Sequence, residues 1–119
     1  MKLVYVVDSV SDIKTKIDMM QTRFGKDIYF VVKNHFVELF KSFGYECHAV
    51  YTKNLAKVLH TMLLKCTVDD ILICYSSLDL NNQMLNNFLS KIGDGRHFVN
   101  LVPKYNVFEQ IGNGAYNIY

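Results

Sequence analysis

Leu3-Val4-Tyr5-Val6-Val7, Ile28-Tyr29-Phe30-Val31-Val32 and Ile71-Leu72-Ile73-Cys74-Tyr75 decide the fold. Each is an unbroken run of β-branched, aliphatic or aromatic side chains, the third including the small thiol of Cys74. A strand with one wet face alternates apolar and polar residues. A strand that is apolar at every position needs cover on both faces. Two weaker strands complete the set: Glu46 to Thr52, around Ala49-Val50-Tyr51, and His97 to Val102, around Phe98-Val99 and stopped by Pro103.

Between the runs the apolar period becomes helical. Ile13, Ile17, Met20 and Phe24 fall on one helix face. Phe36, Val37, Leu39, Phe40 and Phe43 predict a short second helix. Leu55, Val58, Leu59, Met62 and Leu63 predict a third, and Leu80, Met84, Leu85, Phe88, Leu89 and Ile92 a fourth. Gly25, Gly44 and Gly93 follow the last apolar positions, as helix-ending glycines do. Ser11, Asn34 and Asn54 stand where N-caps belong, and Ser77 or Asp79 would cap the fourth helix. The alternation β-α-β-α-β-α-β-α-β predicts an α/β domain. Its architecture is a three-layer αβα arrangement with a five-stranded, mostly parallel sheet, flavodoxin-like or Rossmann-like, joined by right-handed crossovers.

The chain's 119 residues, half of them hydrophobic, make one domain, 1–119. A length of this order buries roughly two thirds of its unfolded surface and needs no disulfide or metal staple. Cys47, Cys66 and Cys74 are widely spaced and odd in number, the usage of a reducing compartment. Five apolar residues before Asp8 are too few for a signal peptide, and no run reaches membrane-spanning length. The expectation is a cytosolic protein with no membrane partner. A net charge of +2 without a Lys/Arg cluster argues against nucleic acid. From 103 to 119 the chain carries a short apolar helix signal at Val107, Phe108 and Ile111, then the aromatic end Ala115-Tyr116-Asn117-Ile118-Tyr119. This tail points to a domain excised from a longer polypeptide, or to a second copy of the chain docking through its aromatic residues.

Parallel sheets bind ligands outside the carboxyl ends of their strands. The residues there are Asp8, Ser9 and Ser11 after the first strand, Lys33 after the second, and Thr52 and Lys53 after the third. Ser76 and Ser77 follow the fourth and Lys104 the fifth. Hydroxyls at helix starts and three lysines make a rim suited to a small anion. No GxGxxG and no GxxxxGK[ST] occurs, and no glycine lies in the first strand–helix loop. No cofactor is expected, and the histidines lack the spacing of metal ligands. Cys47 and His48 are adjacent, so a strand would point them to opposite faces and no catalytic pair results.

The length and the five-fold β/α count resemble response-regulator receiver domains. That resemblance implies Asp8 as an acidic residue, Ser76 or Ser77 as the hydroxyl and Lys104 as the lysine. Tyr51-Thr52-Lys53 has no carboxylate where the phospho-acceptor belongs, so phosphorylation there is not expected. Asp27 to Thr52, read as strand, helix, Gly-Tyr-Glu and strand, is similar to the amino-terminal α/β halves of two-domain glycosyltransferases. The sequence therefore supports a non-catalytic α/β binding, regulatory or association module of a larger protein. The alternative is a transferase part whose site needs a second domain.

Overall fold

The unbroken apolar strands lie side by side at the centre of the fold. In the computed structural model, which describes residues 2–65, 70–78, 81–89, 98–101 and 115–117, they form one parallel sheet. Its strands are β1 (Lys2–Val7), β2 (Ile28–Lys33), β3 (Ala49–Tyr51), β4 (Asp70–Tyr75), β5 (Phe98–Leu101) and β6 (Ala115–Asn117), in the order β3-β2-β1-β4-β5-β6. All five pairings are parallel. The helices are α1 (Ile13–Phe24), α2 (Val37–Ser42), α3 (Leu55–Lys65) and α4 (Asn82–Leu89), with a 3-10 turn, Asn34–Phe36, leading into α2.

The register explains why every position of the central strands is apolar. Leu3, Tyr5 and Val7 stand beside Ile28, Phe30 and Val32 on one side, and Leu3 and Tyr5 beside Leu72 and Cys74 on the other. These residues share one face with Ile13, Ile17 and Met20 of α1, Phe40 of α2 and Leu85 of α4. Val4, Val6, Val31, Ile73 and Tyr75 point the opposite way, against Ala56 and Leu59 of α3. Successive side chains alternate across the sheet, so two cores divide each strand between them.

Three features differ from the sequence expectation. The third strand is Ala49–Tyr51 rather than 46–52, and the tail contributes a sixth strand, Ala115–Asn117, beside β5. The third concerns hand. The steps β1 to β2 and β2 to β3 run one way across the sheet, with α1 and α2 on one face. The step β3 to β4 runs the other way, with α3 on the other face, as a shared hand requires. On that rule α4 would join α3. Instead it lies on the face of α1, where Arg23 donates to Asn86 Oδ1. The fifth helix expected near 106–111 lies outside the described residues, as does Gly93.

Local signals account for the helix ends. Asn54 Oδ1 accepts from Lys57 N at 3.1 Å, the N-cap bond expected of it. Ser11 is not the cap of α1. Asp12 holds that place in a left-handed conformation (φ 53°) without a side-chain cap bond. Asn34 is likewise the first residue of the 3-10 turn, preceded by Lys33, and not a cap. Ser77 does not cap α4, which starts at Asn82, with Leu85 N donating to Asn81 O at 3.1 Å.

Candidate functional site

The topology brings the ends of β1 and β4 together at the centre of the carboxyl edge, where a doubly wound sheet reverses direction. Asp8 and Ser9 leave β1, and Ser76 and Ser77 leave β4. Ser76 is the one fully buried polar residue among the described residues. Its backbone N–H continues the ladder to Val6 O at 2.9 Å. Its hydroxyl oxygen accepts from Asp8 N at 3.1 Å and Ser9 N at 3.0 Å. The hydroxyl proton faces Ser9 O at 2.7 Å and Asp8 Oδ1 at 3.1 Å. The Asp8 carboxylate accepts from Ser77 N at 3.0 Å through Oδ1 and from the Ser77 hydroxyl at 2.6 Å through Oδ2.

The chemical sense of this arrangement lies in its donors. Backbone N–H groups at the start of a connection are what an open α/β site offers to a phosphate or carboxylate. Here the N–H groups of Asp8 and Ser9 point at Ser76 Oγ, and that of Ser77 points at Asp8. The chain supplies its own anion. Lys16, one turn into α1, reaches over the same place and donates from Nζ to Ser76 O at 2.6 Å. A charge-assisted bond of that length fastens α1 to the end of β4. The position of α4 completes the picture. A switch-point crevice opens when the connections after its two strands leave to opposite faces. α1 and α4 share a face, and Asp8 and Ser9 after β1 bond directly to Ser76 and Ser77 after β4.

The other rim residues do not join this cluster. Ser11 is exposed, and its N–H contacts Ser9 Oγ at 3.4 Å. Lys33 ends β2 in register with Tyr51 of β3, partly exposed, and Thr52 and Lys53 follow β3 as exposed residues. These three form a separate stretch of edge beyond β1. Lys104 lies outside the described residues. Among the described residues, no group of three or more His, Cys, Asp or Glu side chains stands together to hold a metal, and no helix is long and apolar enough to cross a membrane.

Two residues were missed by sequence reasoning. Lys16 had a signal: a cation early in a helix opposes the macrodipole, so it needs a carbonyl or carboxylate nearby. His48 had none. Its Nδ1 accepts from Phe30 N at 3.0 Å and its own N–H donates to Phe30 O at 3.0 Å, so an imidazole replaces a carbonyl in the β2–β3 ladder. Cys47 turns away, its thiol against Ala49 O at 3.4 Å. Burial raises the thiol's pKa above its ordinary value, against a smaller opposing effect of Lys41. Burial raises that of Cys74 far more. Neither thiol has the depressed pKa of a nucleophile.

No family model, no curated protein and no solved structure matches this chain.

Proposed function

We propose that this chain is a non-catalytic α/β binding, regulatory or association module of a larger cytosolic protein, with a three-layer, Rossmann-like architecture. The observation that carries this reading is the Asp8 carboxylate held by the hydroxyls of Ser76 and Ser77 and by the Ser77 N–H. A nucleotide phosphate at the switch point would have to displace a covalently attached anion and leave its donors to compete for it. The rim then keeps one stretch for a small anion, Lys33, Thr52 and Lys53 at the ends of β2 and β3. The module's partner would be a second domain of the same polypeptide, or a second copy engaged through the tail that holds Ala115–Asn117.

The receiver likeness is one of pattern. Receiver domains place β3 beside β1, whereas here β1 lies between β2 and β4. The transferase reading is the alternative. It is favoured by the β2-α2-Gly44-Tyr45-Glu46-β3 unit, in which Gly44 turns the chain with φ 90° as that resemblance implies.

A thermal-shift panel separates the two. At about 100 times its dissociation constant a ligand adds roughly 2.7 kcal/mol, a readily visible shift. The module reading expects no response to nucleotides, nucleotide-sugars or flavins. It expects a response to pyrophosphate that disappears in the Lys33→Ala, Lys53→Ala double variant. A shift with nucleotide-sugars that survives that double variant would replace it with the transferase reading.

A further inference from the structure

We infer that the face of the sheet opposite α1 holds a binding site for a small amphipathic carboxylate, in the cavity between α3 and the start of β2 and β3. This goes beyond the module reading, because the cavity lies toward the amino ends of the strands, away from the rim. Its volume is about 320 Å³, and Tyr29, His48, Ala49, Lys57, Val58, Thr61 and Met62 line it. A water-sized group takes roughly 30 Å³, so the space suits a body of roughly ten heavy atoms. Sites of this kind are mostly apolar with a few fixed polar groups.

The cavity exists for a sequence reason. Ala49 opens β3 with a methyl group where a larger residue would fill the gap to α3. The helix crosses above it with Val58 and Met62, both partly buried. Tyr29 and His48 form the wall, their rings edge-on at 5.1 Å. Their positions are held from behind. Lys2 Nζ sits 4.4 Å over the Tyr29 ring, and Phe30 N–H anchors His48 Nδ1.

The polar groups select charge. The Phe30 bond makes Nδ1 the acceptor, so the neutral imidazole carries its proton on Nε2. Glu46 Oε2 is 3.8 Å from Nε2, beyond hydrogen-bond reach, and does not line this cavity. Thr61 spends its hydroxyl on Lys57 O at 3.0 Å. The lining thus holds one full cation, Lys57, and no carboxylate. An alkyl or aromatic body would rest on Val58, Met62 and Ala49 with its carboxylate toward Lys57.

The test is a titration of the 119-residue chain with octanoate and with phenylacetate, followed by amide chemical shifts in ¹H–¹⁵N spectra. The expected result is saturable shifts centred on Ala49, Val58 and Thr61. Lys57→Gln, a change at an exposed side chain, should weaken carboxylate binding roughly two- to fivefold and leave neutral phenylacetamide unaffected. Val58→Trp should fill the cavity and abolish the shifts. If its spectrum shows that it does not fold, Ala49→Leu serves instead. Absence of saturable shifts, unchanged carboxylate affinity in Lys57→Gln, or shifts centred on Gly25, Lys26 and Gly44 would overturn the inference. None of these results bears on the nucleotide and nucleotide-sugar panel that tests the module reading, so the two fail separately.

Discussion

Ser76 shows how a hydroxyl is kept in a dry place. It is fully buried, yet its oxygen serves two backbone N–H groups and its proton serves a carbonyl or carboxylate. A buried donor left without an acceptor costs about 1–3 kcal/mol, more than a made bond contributes net. Ser76→Ala would take the hydroxyl acceptor from the Ser9 N–H and leave the Asp8 N–H with its bond to Val6 O at 3.2 Å. The expected loss is about 2 kcal/mol, read as a lower urea midpoint with an unchanged slope. Gly25 makes the complementary case at the backbone. Its φ of 59° with ψ of −122° ends α1 in a conformation that side chains avoid, although a Cβ there would touch nothing within 4 Å. The candidate residues Asp8, Ser9, Ser76 and Ser77 were legible because a general rule puts ligand chemistry at carboxyl ends. What was not legible is that they would bind one another.

At the scale of the element, β3 is instructive. Glu46 to Thr52 reads as seven residues of strand, and Ala49–Tyr51 is what forms. The ladder that would have continued is replaced by the His48 imidazole bonded to Phe30 N–H. The same ring packs with Phe30 at 6.0 Å, inside a group of aromatics that includes Phe40 and Tyr45. His48→Phe would keep the ring and remove the acceptor. It should cost about 1–3 kcal/mol and speed hydrogen exchange at the Phe30 amide, with Val31 and Val32 little changed. Equal exchange at Phe30 in both proteins would show that water replaces the imidazole. By contrast, the buried face of α1 was readable, since Ile13, Ile17 and Met20 repeat at helical spacing and all three are buried. Its cap was not, because Asp12 takes a left-handed conformation for which Ser11-Asp12 carries no distinct sign.

For the molecule as a whole, the central sheet sets an alkaline limit. Burial raises the Tyr5 phenol above its ordinary 10.0 and the Cys74 thiol above its ordinary 9.0, with the Cys74 and Asp8 charges adding to the Tyr5 shift. Both groups stay protonated longer folded than unfolded. Their contribution is fully present below pH 9 and falls as pH rises above 9 to 10, where the unfolded chain begins to lose protons that the folded chain retains. Urea midpoints measured from pH 7 to 11 should hold steady and then decline from about pH 9. Cys74→Ala should delay that decline, although burial loss lowers its starting value. By itself, the sequence determined the fold class. A strand apolar at every position needs cover on both faces, and the helical repeats between strands supply that cover on a parallel sheet. It also placed Asp8, Ser9, Lys33, Thr52, Lys53, Ser76 and Ser77 at the ends of their strands. Only the tertiary structure decided the strand order, the face taken by α4, the closing of the β1–β4 switch point and the cavity beside His48. Each of these depends on which elements become neighbours across dozens of residues, and local periodicity carries no record of that choice.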